Sequence, residues 1–128
     1  MVAARYAYLV LAWAFVVGVV VQVFLIGLAL FADPDSTQLH VDFGWILHLF
    51  PVLIVIAAAV ARAGRRRILQ VVALAAIVFV VPLLPGLRES APVVAALHPV
   101  LALLAFGAAV GVAIAATRLT QAGRAVPG

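Results

Sequence analysis

YAYLVLAWAFVVGVVVQVFLIGLALF, residues 6–31, decides the fold. None of its 26 side chains carries a charge, and a helix needs about 20 apolar residues to cross a hydrocarbon core about 30 Å thick. Arg5 ahead of the run and Ala32 behind it imitate a secretory signal. The apolar stretch is too long for a signal core of about 7–15 residues, so an uncleaved first span is expected. Three more runs of this kind follow at residues 41–61, 68–84 and 93–117. The predicted fold class is therefore all-α: an integral membrane antiparallel four-helix bundle, with residues 1–128 forming a single transmembrane domain.

The composition agrees. Apolar residues make up 69% of the chain and only 9% are charged, against roughly 45–50% apolar in soluble domains, which excludes a water-soluble globule. All eight cations are arginines, set in short clusters between apolar runs. The net charge of +4 thus reads as membrane orientation, with the lipid bilayer as partner and no nucleic acid. The absence of cysteine removes disulfides, thiolate nucleophiles, iron–sulfur clusters and Cys-ligated zinc.

Breaks in the apolar pattern set the connections. Asp33, Pro34, Asp35 and Ser36 end the first run, Thr37 is the expected N-cap of the second helix, and Ser90 is the expected cap of the fourth, with Pro92 in its first turn. Arg62, Arg65, Arg66 and Arg67 make a basic hairpin between the second and third runs. Together with Arg5, Arg118 and Arg124 they put seven arginines on one side, leaving Arg88 and all four acids on the other. Cytoplasmic loops are enriched in arginine, so both termini and the hairpin are expected in the cytoplasm of a bacterium with a multi-pass protein in its inner membrane. The hairpin arginines are also compatible with anionic lipid headgroups.

No carboxylate lies well inside a span, which argues against a proton-coupled small transporter and against carboxylate catalysis. No catalytic constellation is evident. The polar residues within the spans are His48, His98, Gln22 and Gln70, the last at the basic edge. Counting about 1.5 Å per residue from the acidic ends, His48 lies about 10 Å deep, His98 about 9 Å and Gln22 about 15 Å. Two imidazoles at matched depth on two helices suit a b-type haem, with His48 and His98 as the iron ligands. The alternative is that each histidine bonds to a carbonyl freed by nearby Pro51 or Pro99, or to Gln22. His40, at the membrane surface, is a solvated histidine, an exchangeable ligand or a haem-edge group. Arg88 is a partner for the haem propionates or for Glu89, Asp33, Asp35 or Asp42. Three histidines without Cys or acid spacing make no zinc motif.

Gly107 and Gly111 form a GxxxG continued by Ala115, and Gly18 precedes Gln22 by one turn. Such spacing predicts a close helix contact, inside the bundle or at the interface of a homodimer or larger membrane complex. Trp13, Trp45, Tyr6 and Tyr8 read as interfacial anchors.

GVVVQVFLIGLALF in the first span, GWILHLFP in the second and LHPVLALLAF in the fourth resemble a group of small bacterial four-span membrane proteins of unknown function. They are also distantly similar to the four-helix halves of haem A synthase and of membrane b-type cytochromes. That likeness implies ligand roles for His48 and His98 and an electron-transfer or haem-related function. It carries no enzymatic activity, because the synthase's catalytic carboxylate has no counterpart here. The other reading is a non-catalytic accessory or assembly subunit of a larger membrane complex, with structural histidines.

Overall fold

In a computed structural model that describes residues 1–123, every regular element is helical. Arg124 lies outside the described residues. Helix α1 is unbroken over Val2–Phe31, about 45 Å at 1.5 Å per residue. The second stretch consists of a 3₁₀ turn at Pro34–Ser36, α2 (Thr37–Leu47) and α3 (Leu49–Val60). The third is α4 (Arg65–Val80), continued by a 3₁₀ segment at Val81–Leu87. The fourth is the single turn α5 (Pro92–Ala95) followed by α6 (His98–Ala122). These four stretches are each long and apolar enough to cross a membrane.

Where the chain breaks follows from its prolines and polar residues. Asp33, not Thr37, caps the second stretch. Its carboxylate accepts from the Asp35 N–H at 3.2 Å and from Ser36 Oγ at 2.9 Å. Because Asp33 stands just ahead of Pro34, the helical path opens there, and Thr37 falls inside it, donating to the Pro34 carbonyl at 2.7 Å. Ser90 does not cap the fourth stretch either; the N-cap is Ala91, with Pro92 in the first turn as expected. The basic hairpin is closed by a Schellman motif. The Ala63 N–H reaches the Ala58 carbonyl and the Arg62 N–H reaches that of Ala59, with Arg62 in the left-handed region at φ 52°. Gly64 then turns the chain into α4 at φ 88°.

Each stretch packs on its neighbours around a ring, α1 on α3 and α6, and α4 on α3 and α6. The centre holds Tyr8, Ala12 and Phe15 of α1, Ile54 and Ala58 of α3, Val71 and Leu74 of α4, and Ala109, Ala113 and Ala116 of α6. The alanines let the helix axes approach closely, as small residues do where lipid removes any hydrophobic drive between helices. The outer surface is apolar instead, with Val17, Phe24, Phe31, Ile56 and Leu103 among its exposed side chains. A surface of that kind is stable in lipid, not in water.

Candidate functional site

The polar side chains gather at the end of the bundle that carries Asp33, Asp35 and Asp42. On α1, Gly18 and Gln22 lie one turn apart and face α2. A Cβ at Gly18 would stand 2.5 Å from Leu47 Cδ2, and one at Gly44 would stand 2.8 Å from Gln22 Nε2. The two glycines thus let the first and second stretches close on each other. Across that contact Gln22 and His40 bond reciprocally. Gln22 Nε2 donates to the His40 carbonyl at 2.6 Å, and His40 Nδ1 donates to the Gln22 carbonyl at 3.0 Å. Gln22 Oε1 is buried without a partner among the described residues.

His48 and His98 both sit at helix junctions and both reach the third stretch. His48 is the residue between α2 and α3; its N–H turns to the Trp45 carbonyl at 3.3 Å. The Gly44 carbonyl, one helical turn behind, receives the His48 ring through Nδ1 at 2.6 Å, while Nε2 lies 3.1 Å from the Val78 carbonyl. His98 opens α6, and its Nδ1 donates to the Val81 carbonyl at 2.8 Å. Proline accounts for one of these acceptors. A carbonyl of an α-helix pairs with the N–H four residues on, and a proline there has none; Pro82 stands at that position for Val78. Val81 opens the 3₁₀ segment, whose carbonyls pair with the N–H three residues on, so Pro85 does not free it. His48 thus reaches a carbonyl freed by proline, and that proline is Pro82 of the third stretch, not Pro51 or Pro99.

Ring pairing follows a different pattern from the depth arithmetic. His40 and His98 meet with ring centroids 6.5 Å apart and planes at 71°. His48 instead packs against Trp45 at 5.3 Å and Phe79 at 5.7 Å. A neutral imidazole carries one N–H, so a ring whose Nδ1 donates to a carbonyl keeps an acceptor lone pair on Nε2. In His40 and His98 that Nε2 has no hydrogen-bond partner among the described residues. In His48 both nitrogens face carbonyls, and only the doubly protonated ring donates to both. Arg88 is exposed and forms no ion pair among the described residues.

The chain belongs to the DUF6220 family. Residues 22–86 match that family of unknown function. No curated protein and no solved structure matches the chain significantly. The DUF6220 stretch takes in Gln22, His40, His48 and the proline-bearing end of the third stretch, and it stops before His98. It brings no relationship to haem A synthase or to b-type cytochromes.

Two features of this DUF6220 chain go beyond the anchor roles expected of Trp13 and Tyr8. Trp13 Nε1 donates to Thr117 Oγ1 at 3.1 Å, clasping α1 to α6. Tyr8 is 0% exposed, with its hydroxyl unpartnered among the described residues. Nothing in the residue types predicts either contact, since both depend on the rotation of α1 about its axis.

Proposed function

We propose that the protein binds one b-type haem at the acidic end of the bundle, with His40 and His98 as axial ligands, and serves electron transfer there. The pairing of two imidazoles, each with Nδ1 anchored on a carbonyl and Nε2 unengaged, carries the reading. Nδ1 anchoring is the usual support of a ligating histidine, because it fixes the tautomer and the ring plane. The ring separation supports it as well. With metal–nitrogen bonds of about 2 Å and about 1.1 Å from nitrogen to ring centre, imidazoles on opposite sides of one metal have centres about 6.2 Å apart, whereas tetrahedral ligation gives about 5 Å. The distance of 6.5 Å lies near the first value.

In this reading the haem supplies one-electron exchange. Gln22 positions His40 by the reciprocal bonds, and Val81 positions His98. Arg88, ten residues before His98, is placed by sequence to meet a propionate. His48 braces the bundle instead of ligating. The acidic end faces away from the cytoplasm of a bacterial inner membrane, with both termini inside. The geometry of His48, with both nitrogens on carbonyls, favours a second reading in which all three histidines are structural and the protein is an accessory or assembly subunit.

Visible spectra of protein expressed with ample haem, oxidised and dithionite-reduced, separate the two. Low-spin bands are expected in the wild type and in His48→Ala, and are expected to vanish in His40→Ala and His98→Ala while far-ultraviolet helicity persists. Colourless wild-type protein refutes the haem assignment and leaves the accessory subunit. Bands that survive His40→Ala but not His48→Ala restore the pair His48 and His98.

A further inference from the structure

The opposite end of the bundle holds a cavity of about 480 Å³ between α4 and α6, whose polar lining is Arg65, Arg66, Arg67, Gln70 and Arg118. The guanidiniums of Arg65, Arg66 and Arg118 have no hydrogen-bond or ion-pair partner among the described residues, whereas that of Arg67 already donates to the Ala63 carbonyl at 2.9 Å. Among the described residues no carboxylate is near to serve them, because Asp33, Asp35, Asp42 and Glu89 all belong to the far end. Two arginines also stand where the helix itself is positive: α4 begins at Arg65, with no side-chain cap and no acid in its first turn. Cations at a helix N-terminus are disfavoured, so the arrangement is locally frustrated unless an anion joins it.

On the membrane side the cavity changes character. Gly111, Ile114 and Ala115 of α6 line it there, and a Cβ at Gly111 would meet nothing within 4 Å. The groove is therefore open where the helix has no side chain. An oxyanion held by forked guanidiniums beside an apolar channel is the chemistry of a phosphate group carried on a hydrophobic tail.

We propose that this cavity binds a phosphate group between Arg65, Arg66 and Arg118, with the Gly111 groove receiving the acyl chain when the phosphate belongs to an anionic phospholipid. Arg62 is a built-in control. It carries the same charge on the same hairpin but does not line the cavity.

The test is native mass spectrometry of the purified full chain from micelles containing equal phosphatidylglycerol and phosphatidylcholine. Retention of phosphatidylglycerol over phosphatidylcholine is expected, falling about tenfold in Arg66→Gln and in Arg118→Gln and little in Arg62→Gln. Millimolar inorganic phosphate distinguishes the sources. A lipid ligand resists it and is lost in Gly111→Leu, whereas a free phosphate ligand binds directly and is indifferent to Gly111→Leu. Absence of any preference, with no retained phosphate, overturns the proposal. Equal losses in Arg62→Gln and Arg118→Gln overturn it too, since they reduce the effect to diffuse positive charge. Far-ultraviolet helicity checks each variant, and the wild-type measurement stands without them.

Discussion

His48→Leu removes a ring whose nitrogens face two carbonyls, Gly44 at 2.6 Å and Val78 at 3.1 Å, of which the neutral imidazole donates to one and the doubly protonated ring to both. Leucine keeps the apolar contacts with Trp45 and Phe79 and donates nothing. A buried carbonyl left without a partner costs about 1–3 kcal/mol, while hydrogen bonds between membrane helices average about 0.6 and reach about 1.7 kcal/mol. The expected loss is therefore about 1–2 kcal/mol. Its origin is tested by a second change. Pro82→Ala restores the N–H that Val78 lacks, so in that background His48 has one carbonyl fewer to satisfy. His48→Leu is then expected to cost less by about 0.6–1.7 kcal/mol. Reversible unfolding in mixed micelles titrated with dodecyl sulfate, followed by tryptophan fluorescence, gives all four stabilities. Equal costs of His48→Leu in both backgrounds would refute the argument that the histidine answers the proline.

The two glycine motifs are expected to differ. Gly18→Leu overpacks against Leu47 and costs about 1–3 kcal/mol in the same titration, whereas Gly107→Leu and Gly111→Leu, with open space at both positions, change monomer stability by less than about 0.5 kcal/mol. Sedimentation in detergent then shows whether Gly107 and Gly111 serve a second copy. Arg62→Gly relieves a left-handed arginine at φ 52° and raises stability by about 1 kcal/mol. Cysteine introduced at Thr37 is expected to react with an impermeant thiol reagent on intact cells, and cysteine introduced at Gly64 is not; the reverse labelling overturns the orientation.

The four helical stretches were legible because their apolar length alone specifies them. Rotation about each axis was not, and α6 shows why. It carries two interleaved small-residue stripes, Ala105–Ala109–Ala113 and Gly107–Gly111–Ala115, two residues apart and thus about 200° around the helix from each other. By motif the glycines are the stronger signal of close contact, and that is the contact expected from sequence. The bundle buries the alanines and exposes Gly107 and Gly111. The choice depends on how α6 meets the core side chains of α1, α3 and α4, a property of the packed helices and not of any one alone.

The hydrogen bonds of the histidines were not legible for a related reason. Their shared depth led to the expectation of one iron between His48 and His98, and the third stretch supplies a second cause of that depth. Val78 and Val81 are three residues apart, hence within about one helical turn of each other, and the carbonyl of each faces a histidine ring nitrogen. Donors that reach two such carbonyls from neighbouring helices must arrive at nearly equal depth, whatever else they do. Matched depth is therefore weak evidence for common ligation wherever a third helix offers two such acceptors. The unengaged nitrogen is the stronger criterion. On that criterion His98, whose Val81 bond occupies Nδ1 alone, is better placed to ligate than His48, whose two nitrogens both face carbonyls. The same criterion also brings forward His40, which the sequence placed at the surface because the Gln22 bonds that hold it inward span 18 residues and leave no local trace.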